Sequence, residues 1–313
     1  MSGPPLRALT WNLFHARDGH PGLGPSCASV LLGRPVVRGG RAHLNRKWTA
    51  EMGELIARWR PDVAALQEVP TAAVRPIARG AGMTAVWTAT GPLVGPRGLR
   101  DALAARNPDL FRGHEGNANV LLLGPRLRPA PGAARSLRLN PPAAIASAAW
   151  RWRLGAGELL HYLPEVRRLV MTRVAVDSGG ELVVGCVHCH NARDPRVTGA
   201  EILRAAAAVA REAAGGPALL AGDLNVREAH PALAALARAG WGGTGGGLGI
   251  DRILHRGLEV AEPARRLDPA EREIRVTLAG APRLVRLSDH DPVAGAYVPP
   301  TGSASRAARP AAP

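Results

Sequence analysis

Five short strings concentrate the chemistry-bearing residues of this chain: Thr10-Trp11-Asn12-Leu13, Leu66-Gln67-Glu68-Val69, Gly222-Asp223-Leu224-Asn225, Ile250-Asp251-Arg252-Ile253-Leu254 and Ser288-Asp289-His290-Asp291-Pro292. Each joins an apolar, strand-like run to a carboxylate, amide or imidazole at its end, which is how a sheet brings several polar groups to one edge. Carboxylate and amide oxygens suit a hard divalent cation. An imidazole beside a carboxylate suits proton transfer or the binding of an oxyanion. Together these are the parts that metal-assisted hydrolysis of a phosphoester needs: a cation on a non-bridging oxygen, an oriented water and a proton for the departing oxygen.

The elements that must position these groups are short. Apolar runs at Leu6–Leu13, Val63–Val69, Ala118–Leu123, Leu169–Val176, Leu182–His190, Ala218–Leu224, Ile250–Leu254 and Asp291–Val298 are rich in Val and Leu and bounded by Gly, Pro, Asn or Asp. They are read as strands. Helical spacing of Trp48, Met52, Leu55, Ile56 and Trp59 predicts a helix over Asn45–Trp59, stopped by Pro61. A second helix is expected over Thr198–Ala214 and a shorter one over Ala229–Ala239. Clustered strands and few helices predict a packed two-sheet core with helices outside it. One domain over residues 1–300 is expected, with inserts at 16–41 and 124–164 and a disordered tail at 301–313. Asp18, Asp177 and Asp194, outside the strings, are read as turn or cap residues.

At 313 residues and 46% hydrophobic, the chain can bury a large core. No run is long and apolar enough for a transmembrane helix, and no apolar leader precedes the first strand-like run. Three cysteines, Cys27, Cys186 and Cys189, do not make a disulfide framework, so a cytoplasmic location is expected. The formal charge of +15 is uneven: Val30–Ala175 holds 22 Arg and Lys against 9 Asp and Glu. Lys47 is the one lysine, and guanidinium groups match phosphate oxygens bidentately.

In order and spacing the five strings resemble the endonuclease/exonuclease/phosphatase superfamily, here a bacterial-type member of unassigned substrate, and the resemblance runs from Leu9 to Val293. It implies an α+β, deoxyribonuclease I-like fold, a four-layer α/β/β/α sandwich of two packed, mostly antiparallel sheets. It also implies Mg2+, or Mn2+, as cofactor, with Glu68 as the principal metal carboxylate and Asn12 and Asp289 completing the metal site. By the same resemblance Asp223 and Asn225 orient the nucleophilic water and bind a phosphate oxygen. His290 then contacts the scissile phosphate while Asp251 holds its ring. Asp223 and Asn225 are expected on one strand face, being alternate residues.

His188, within Val187-His188-Cys189-His190-Asn191, fills the slot of a family histidine that acts near the leaving group. His190 is expected on the same side, in support. Glu115 stands where deoxyribonuclease I-like members pair a glutamate with that histidine. Cys186-Val187-His188-Cys189-His190 also spells a haem-attachment pattern, but within a strand and without an export signal no haem is expected. Trp150-Arg151-Trp152-Arg153 lies in a stretch, Gly116–Gly157, that has no acid, and is read as a substrate-binding candidate or a packed flap. The expected activity is a Mg2+-dependent phosphodiesterase or nuclease acting on nucleic acid, with no stable membrane insertion. A lipid or inositol phosphate hydrolase is the alternative: Asp251-Arg252-Ile253-Leu254 and Gly222-Asp223-Leu224-Asn225 also resemble inositol 5-phosphatase strings, although the Pro-x-Trp-Cys lead-in of that branch is absent. A third reading is a catalytically inactive member that binds nucleic acid or an anionic membrane.

Overall fold

A computed structural model describes residues 4–19, 36–38, 40–90, 116–162, 166–177 and 180–299. The first sheet runs in the order β13 (Glu259–Arg266), β16 (Val293–Val298), β1 (Leu6–Asn12), β4 (Val63–Pro70), β6 (Asn117–Leu123) and β5 (Thr84–Ala89). The second runs β12 (Asp251–Arg256), β11 (Ala218–Asp223), β10 (Glu181–His188), β9 (Arg168–Val176) and β7 (Leu127–Pro129), with β8 (Arg135–Arg138) also on β9. Only β1/β4 and β10/β11 are parallel within these sheets, and each of those pairs is joined through a helix. A smaller sheet of β14 (Glu273–Leu278), β15 (Ala281–Arg286), β3 (Arg41–His43) and β2 (Val36–Arg38) stands beside them.

The period-2 alternation of the strands sorts their side chains into three apolar layers. Leu6, Ala8, Val63, Ala65, Val184, Cys186, Leu219, Ala221 and Ile253 meet between the two sheets. Leu9, Trp11, Leu66 and Val120 face the other way, onto α1 (Thr49–Trp59) and α2 (Val74–Ala81) through Met52, Leu55, Ile56 and Ile77. Val183, Val187 and Leu220 pack on α5 (Pro195–Ala213) and α6 (Pro231–Arg238) through Ile202, Ala205, Val209 and Leu233. The result is the α/β/β/α sandwich, mostly antiparallel. No helix among the described residues is long and apolar enough to cross a membrane.

All eight expected strands form. The expected helices shift at their starts for identifiable reasons. The helix after Asp194 begins at Pro195 because Asp194 caps it, accepting the Arg196 N–H at 2.9 Å. The first helix begins at Thr49 rather than Asn45, because residues 44–46 turn their N–H groups onto a buried carboxylate. Part of the stretch expected as an insert joins the second sheet: β7 and β8 both pair with β9. Two helices follow, α3 (Pro142–Trp152) and α4 (Ala156–Tyr162). Most of 16–41, and all of 301–313, lie outside the described residues.

The buried carboxylate is Asp18, which is not a simple turn residue. It is fully inaccessible and accepts from the N–H groups of Leu44, Asn45 and Arg46, from Trp48 Nε1 at 2.8 Å and from the His43 ring at 2.9 Å. Its neighbours on the chain bridge to the last functional string. Ser288 N–H donates to the Arg17 carbonyl at 2.8 Å, and at Gly19 a Cβ would meet the Ser288 carbonyl oxygen at 2.1 Å. Asp18 thereby ties the start of α1 to the loop that carries Asp289 and His290.

Burial alone would raise the Asp18 pKa, but His43, Trp48 and the Leu44 N–H outweigh it and hold the carboxyl below its ordinary value. A depressed folded-state pKa stabilises above the unfolded value, about 3.9, and that stabilisation is lost as pH falls through the folded value. Asp18→Asn is expected to cost about 2–4 kcal/mol at neutral pH, because the bonds to a charged acceptor are lost and the new amide NH2 would face N–H donors. The deficit should shrink below about pH 4; urea midpoints of both proteins across pH would show it, and a pH-independent gap would refute it.

Candidate active site

The polar strings sit where the inter-sheet rows end. Along β1 the inward row Leu6, Ala8, Thr10 finishes at Asn12; along β10, Leu182, Val184 and Cys186 lead to His188; along β11, Leu219 and Ala221 lead to Asp223. Asp251 opens the inward row of β12 ahead of Ile253. Register aligns them, His188 opposite Asp223 and Asp223 opposite Asp251. Gly222 makes the approach feasible, because any Cβ there would lie 1.8 Å from the Val187 carbonyl oxygen.

Glu68 reaches the same place by a different device. Regular alternation would send Gln67 inward and Glu68 outward toward the helices. Gln67 does point inward, its amide reaching Thr10 and Cys186 Sγ. The β4/β6 register then breaks between Leu66 and Val69, and Glu68 takes a left-handed backbone, φ 51°. That bulge turns its carboxylate to the catalytic edge. His15, Asn225 and Ser288 are also left-handed, with φ of 57°, 53° and 61°. Such conformations cost about 1–3 kcal/mol each unless the surroundings hold them, and they gather here at one edge.

Asn12 is the link between halves. Its Nδ2 donates to Glu68 Oε1 and to Asp223 Oδ2, each at 3.2 Å, while its oxygen accepts the Phe14 N–H at 3.0 Å. Asp223 Oδ2 also lies 3.6 Å from His188 Nε2 and 3.8 Å from His290 Nε2. His290 Nδ1 is 2.7 Å from Asp251 Oδ2. Two further bonds set the His290 backbone: its N–H donates to Ser288 Oγ at 3.1 Å, and Trp11 Nε1 donates to its carbonyl at 3.1 Å. Ser288 Oγ in turn donates to the Asn12 carbonyl at 2.6 Å. Asp289 is half-exposed, with Oδ1 4.0 Å from His290 Nε2.

Burial and the Asp251 charge push the Asp223 carboxyl up to about 7, against the pull of His290, Asn12 and the Asn225 N–H. The two histidines are driven apart. Burial, with the Arg167 charge beside it, holds His188 well below its ordinary value, so its ring is neutral. Burial works the same way on His290, but the Asp251 bond and charge, with Asp223 and Asp289, override it and raise the ring to about 10.

The remaining candidates depart from the faces expected of them. β11 stops at Asp223, so Asn225 is not on its face; Asn225 instead turns its N–H to Asp223 Oδ1 at 2.9 Å and its Nδ2 to the Cys189 carbonyl at 2.8 Å. β10 likewise stops at His188, so His190 does not share its side. The His190 ring and N–H both go to the fully buried Glu201 of α5, at 3.2 and 2.8 Å. Trp150 is 90% exposed on α3, whereas Trp152 packs with Ile145 and Val197. Alternation had suggested both would pack, but a helix sends residues two apart to different faces. Glu115 lies outside the described residues. Cys186 and Cys189 are buried thiols, Cys186 between the sheets and Cys189 under α5. Sequence reasoning missed His15, whose Nε2 is 3.3 Å from Glu68 Oε2, and the supports Ser288 and Glu201.

Asp223, Asp251 and His290 offer three ligand atoms within 4.8 Å of one another. The Asp251–His290 bond occupies that cluster internally, and a protonated ring repels a cation. Glu68, with a partly open carboxylate, and half-exposed Asp289 better fit a hard cation that retains several waters. The Asp251 bond makes a direct prediction. In metal-free protein the His290 ring should remain protonated past pH 8 or so, and Asp251→Asn should bring its titration toward the ordinary value of about 6.5. Imidazole NMR shifts across pH read this, and a wild-type midpoint already near about 6.5 would contradict it.

The sequence matches the Endonuclease/Exonuclease/phosphatase family over residues 9–290. No curated protein matches it. Among solved structures, an endonuclease/exonuclease/phosphatase family protein from Bacteroides thetaiotaomicron is 14% identical, with TM-score 0.61 over 95% of this chain and 98% of that one. The mannosyl-6-phosphatase Bt3783 of the same organism is 14% identical, with TM-score 0.60 over 94% and 99%. The human Nocturnin catalytic domain, solved with a bound sulfate, is 13% identical, with TM-score 0.58 over 94% and 93%. At such identities the likeness establishes the fold. The family match spans nearly the whole chain, and the chain belongs to the endonuclease/exonuclease/phosphatase family, whose members are hydrolases acting on phosphoesters.

Proposed function

We propose that this chain is a divalent-metal-dependent phosphodiesterase that cleaves nucleic acid by in-line attack of water. The observation that carries the reading is the convergence on Asp223 Oδ2 of Asn12, His188 and His290 from three strand ends and a loop. Glu68 and Asp289, with Asn12 beside them, would hold the metal, Mg2+ or Mn2+. Bound there, the ion would supply positive charge to a non-bridging phosphate oxygen. The preference for nucleic acid is supported by the arginine excess of Val30–Ala175.

In this reading Asp223, steadied by Asn12 and the Asn225 N–H, orients the attacking water and accepts its proton as the new P–O bond forms. His290, its ring held through Nδ1 by Asp251, presents Nε2 to the scissile phosphate, where a fixed N–H donor stabilises developing charge. His188, neutral, stands across Asp223 from it, and His290, the ring that carries the extra proton, gives it to the departing oxygen as the old P–O bond breaks. His15 restrains the Glu68 carboxylate from its far side.

The test is a parallel panel of plasmid DNA, single-stranded DNA, RNA, sphingomyelin and phosphoinositides with Mg2+. Wild type is expected to degrade a nucleic acid, and His290→Ala to lower kcat roughly 10²- to 10⁴-fold with circular dichroism unchanged. Excess EDTA should abolish turnover, and Mg2+ in excess of the chelator should restore it. Turnover of the lipids alone would overturn the substrate assignment; undiminished turnover in EDTA would overturn the metal dependence.

A further inference from the structure

The end of α3, the helix α4 and the start of α5 enclose a groove of about 550 Å3, lined by Trp152, Arg153, Leu154, Glu158, Arg193 and Arg196 among others. It lies close to the active edge. Arg193 follows His188 by five residues, a span of at most about 18 Å even fully extended. The acids of the groove are already engaged. Asp194 caps α5 and pairs with Arg196, and Glu158 accepts the Asp194 N–H at 3.3 Å.

Its remaining cations are not. Arg153 and Arg193 of the lining, and Arg151 on α3 outside it, are exposed, and among the described residues none of the three has an acidic partner. Arg153 is held in a left-handed C-cap, φ 53°, which fixes where its side chain starts. Beside them Trp150 presents nearly its whole ring to solvent. Trp152 accounts for the packing of this helix end, with the Arg196 guanidinium 5.6 Å over its ring, so Trp150 contributes nothing to the core.

An open aromatic face one helical turn before Arg153, with unpaired guanidinium groups on the same helix end and in the groove, complements a polyanion whose bases are uncovered. A duplex hides those faces in its own stack, and a single strand does not. We propose that this groove and the exposed face of α3 beside it form an extended subsite for single-stranded nucleic acid, with Trp150 stacked on an unpaired base and Arg151, Arg153 and Arg193 holding phosphates of the strand that flanks the scissile bond. The inference rests on the phosphodiesterase reading above and adds to it the strandedness of the substrate and the path it takes.

The experiment uses the full chain in EDTA, to prevent turnover, with labelled single-stranded DNA and RNA of about 12 nucleotides, the matching duplex, and phosphatidylcholine/phosphatidylglycerol vesicles. Trp150→Ala should weaken single-strand binding about tenfold or more, and Trp150→Phe should restore most of it. The double variant Arg151→Ala/Arg153→Ala should flatten the slope of log affinity against log salt by about 1.4, two phosphate contacts' worth. With Mg2+, kcat on bis(p-nitrophenyl) phosphate, too small to reach the groove, should be unchanged in all three. Equal single-strand affinity of wild type and Trp150→Ala would overturn the proposal, as would a Trp150 dependence seen only with vesicles, which would make the surface a membrane contact. Cleavage of nucleic acid with no effect of Trp150→Ala on KM or affinity would refute the groove and leave the phosphodiesterase reading intact. Trp150-dependent strand binding with no cleavage of any polymer would do the reverse.

Discussion

The dry contact between the two large sheets is the constraint on which the active edge depends. Period-2 alternation commits every second residue of β1, β10, β11 and β12 to that contact, and Thr10 apart, the inward residues next to the site end of each row are apolar. At the site end of each row the inward residue is Asn12, His188, Asp223 or Asp251, polar but still buried. No separate device aims these four side chains. A one-residue slip of any strand would send its polar terminus into a helix layer and its outward residues into the inter-sheet core, so the packing of some twenty apolar side chains enforces the register of the chemistry.

Gathering carboxylates at that edge is electrostatically unfavourable. Asp223 and Asp251 face each other across a strand pair, and Glu68 joins them through Asn12. The fold offsets this with N–H donors and one positive ring. Asn12 bridges two of the acids, the Asn225 N–H serves Asp223, and His290 takes the charge that Asp251 would otherwise carry alone. The supports lie one layer further out, and they too are mostly buried polar groups: Ser288 between Asn12 and His290, Glu201 beneath His190, Asp18 beneath the Asn45–Trp48 turn. Each is satisfied by several bonds, as a buried charge must be to be tolerated.

Much of this was legible in the sequence, because strands that bury both faces read as continuous Val/Leu runs and their polar ends stand out against them. The architecture, the eight central strands and the strings at their ends all follow from that contrast. What was not legible has physical reasons. β13 is an edge strand exposed along most of its length and carries Pro263, so it lacks a hydrophobic pattern. β14 and β15 alternate Arg with Val and Leu around an Ala279-Gly280 turn, a hairpin signal masked by charge. The bulge at Glu68 leaves no compositional trace, so the family resemblance and not strand alternation marks Glu68 as a site candidate. Asn225 and His190 were placed by extending strands past their true ends. His15 and Glu201 sit at positions with no neighbouring pattern to mark them; only tertiary packing brings them near Glu68 and His190.

The order of the strands along the chain has a consequence for a cell that makes this protein. β16 follows every other strand of the two large sheets along the chain, yet it lies inside the first sheet, paired on one side with β1 and on the other with β13. The loop entering it carries Asp289 and His290. Until that strand inserts, β1 has an open edge, and the site formed by the residues up to Asp251 lacks its charged ring. Domains emerge from the ribosome N-terminus first. A nascent chain in which β16 has not yet inserted would therefore lack His290 beside Asp251, so in the proposed reading the site stays incomplete until that strand docks.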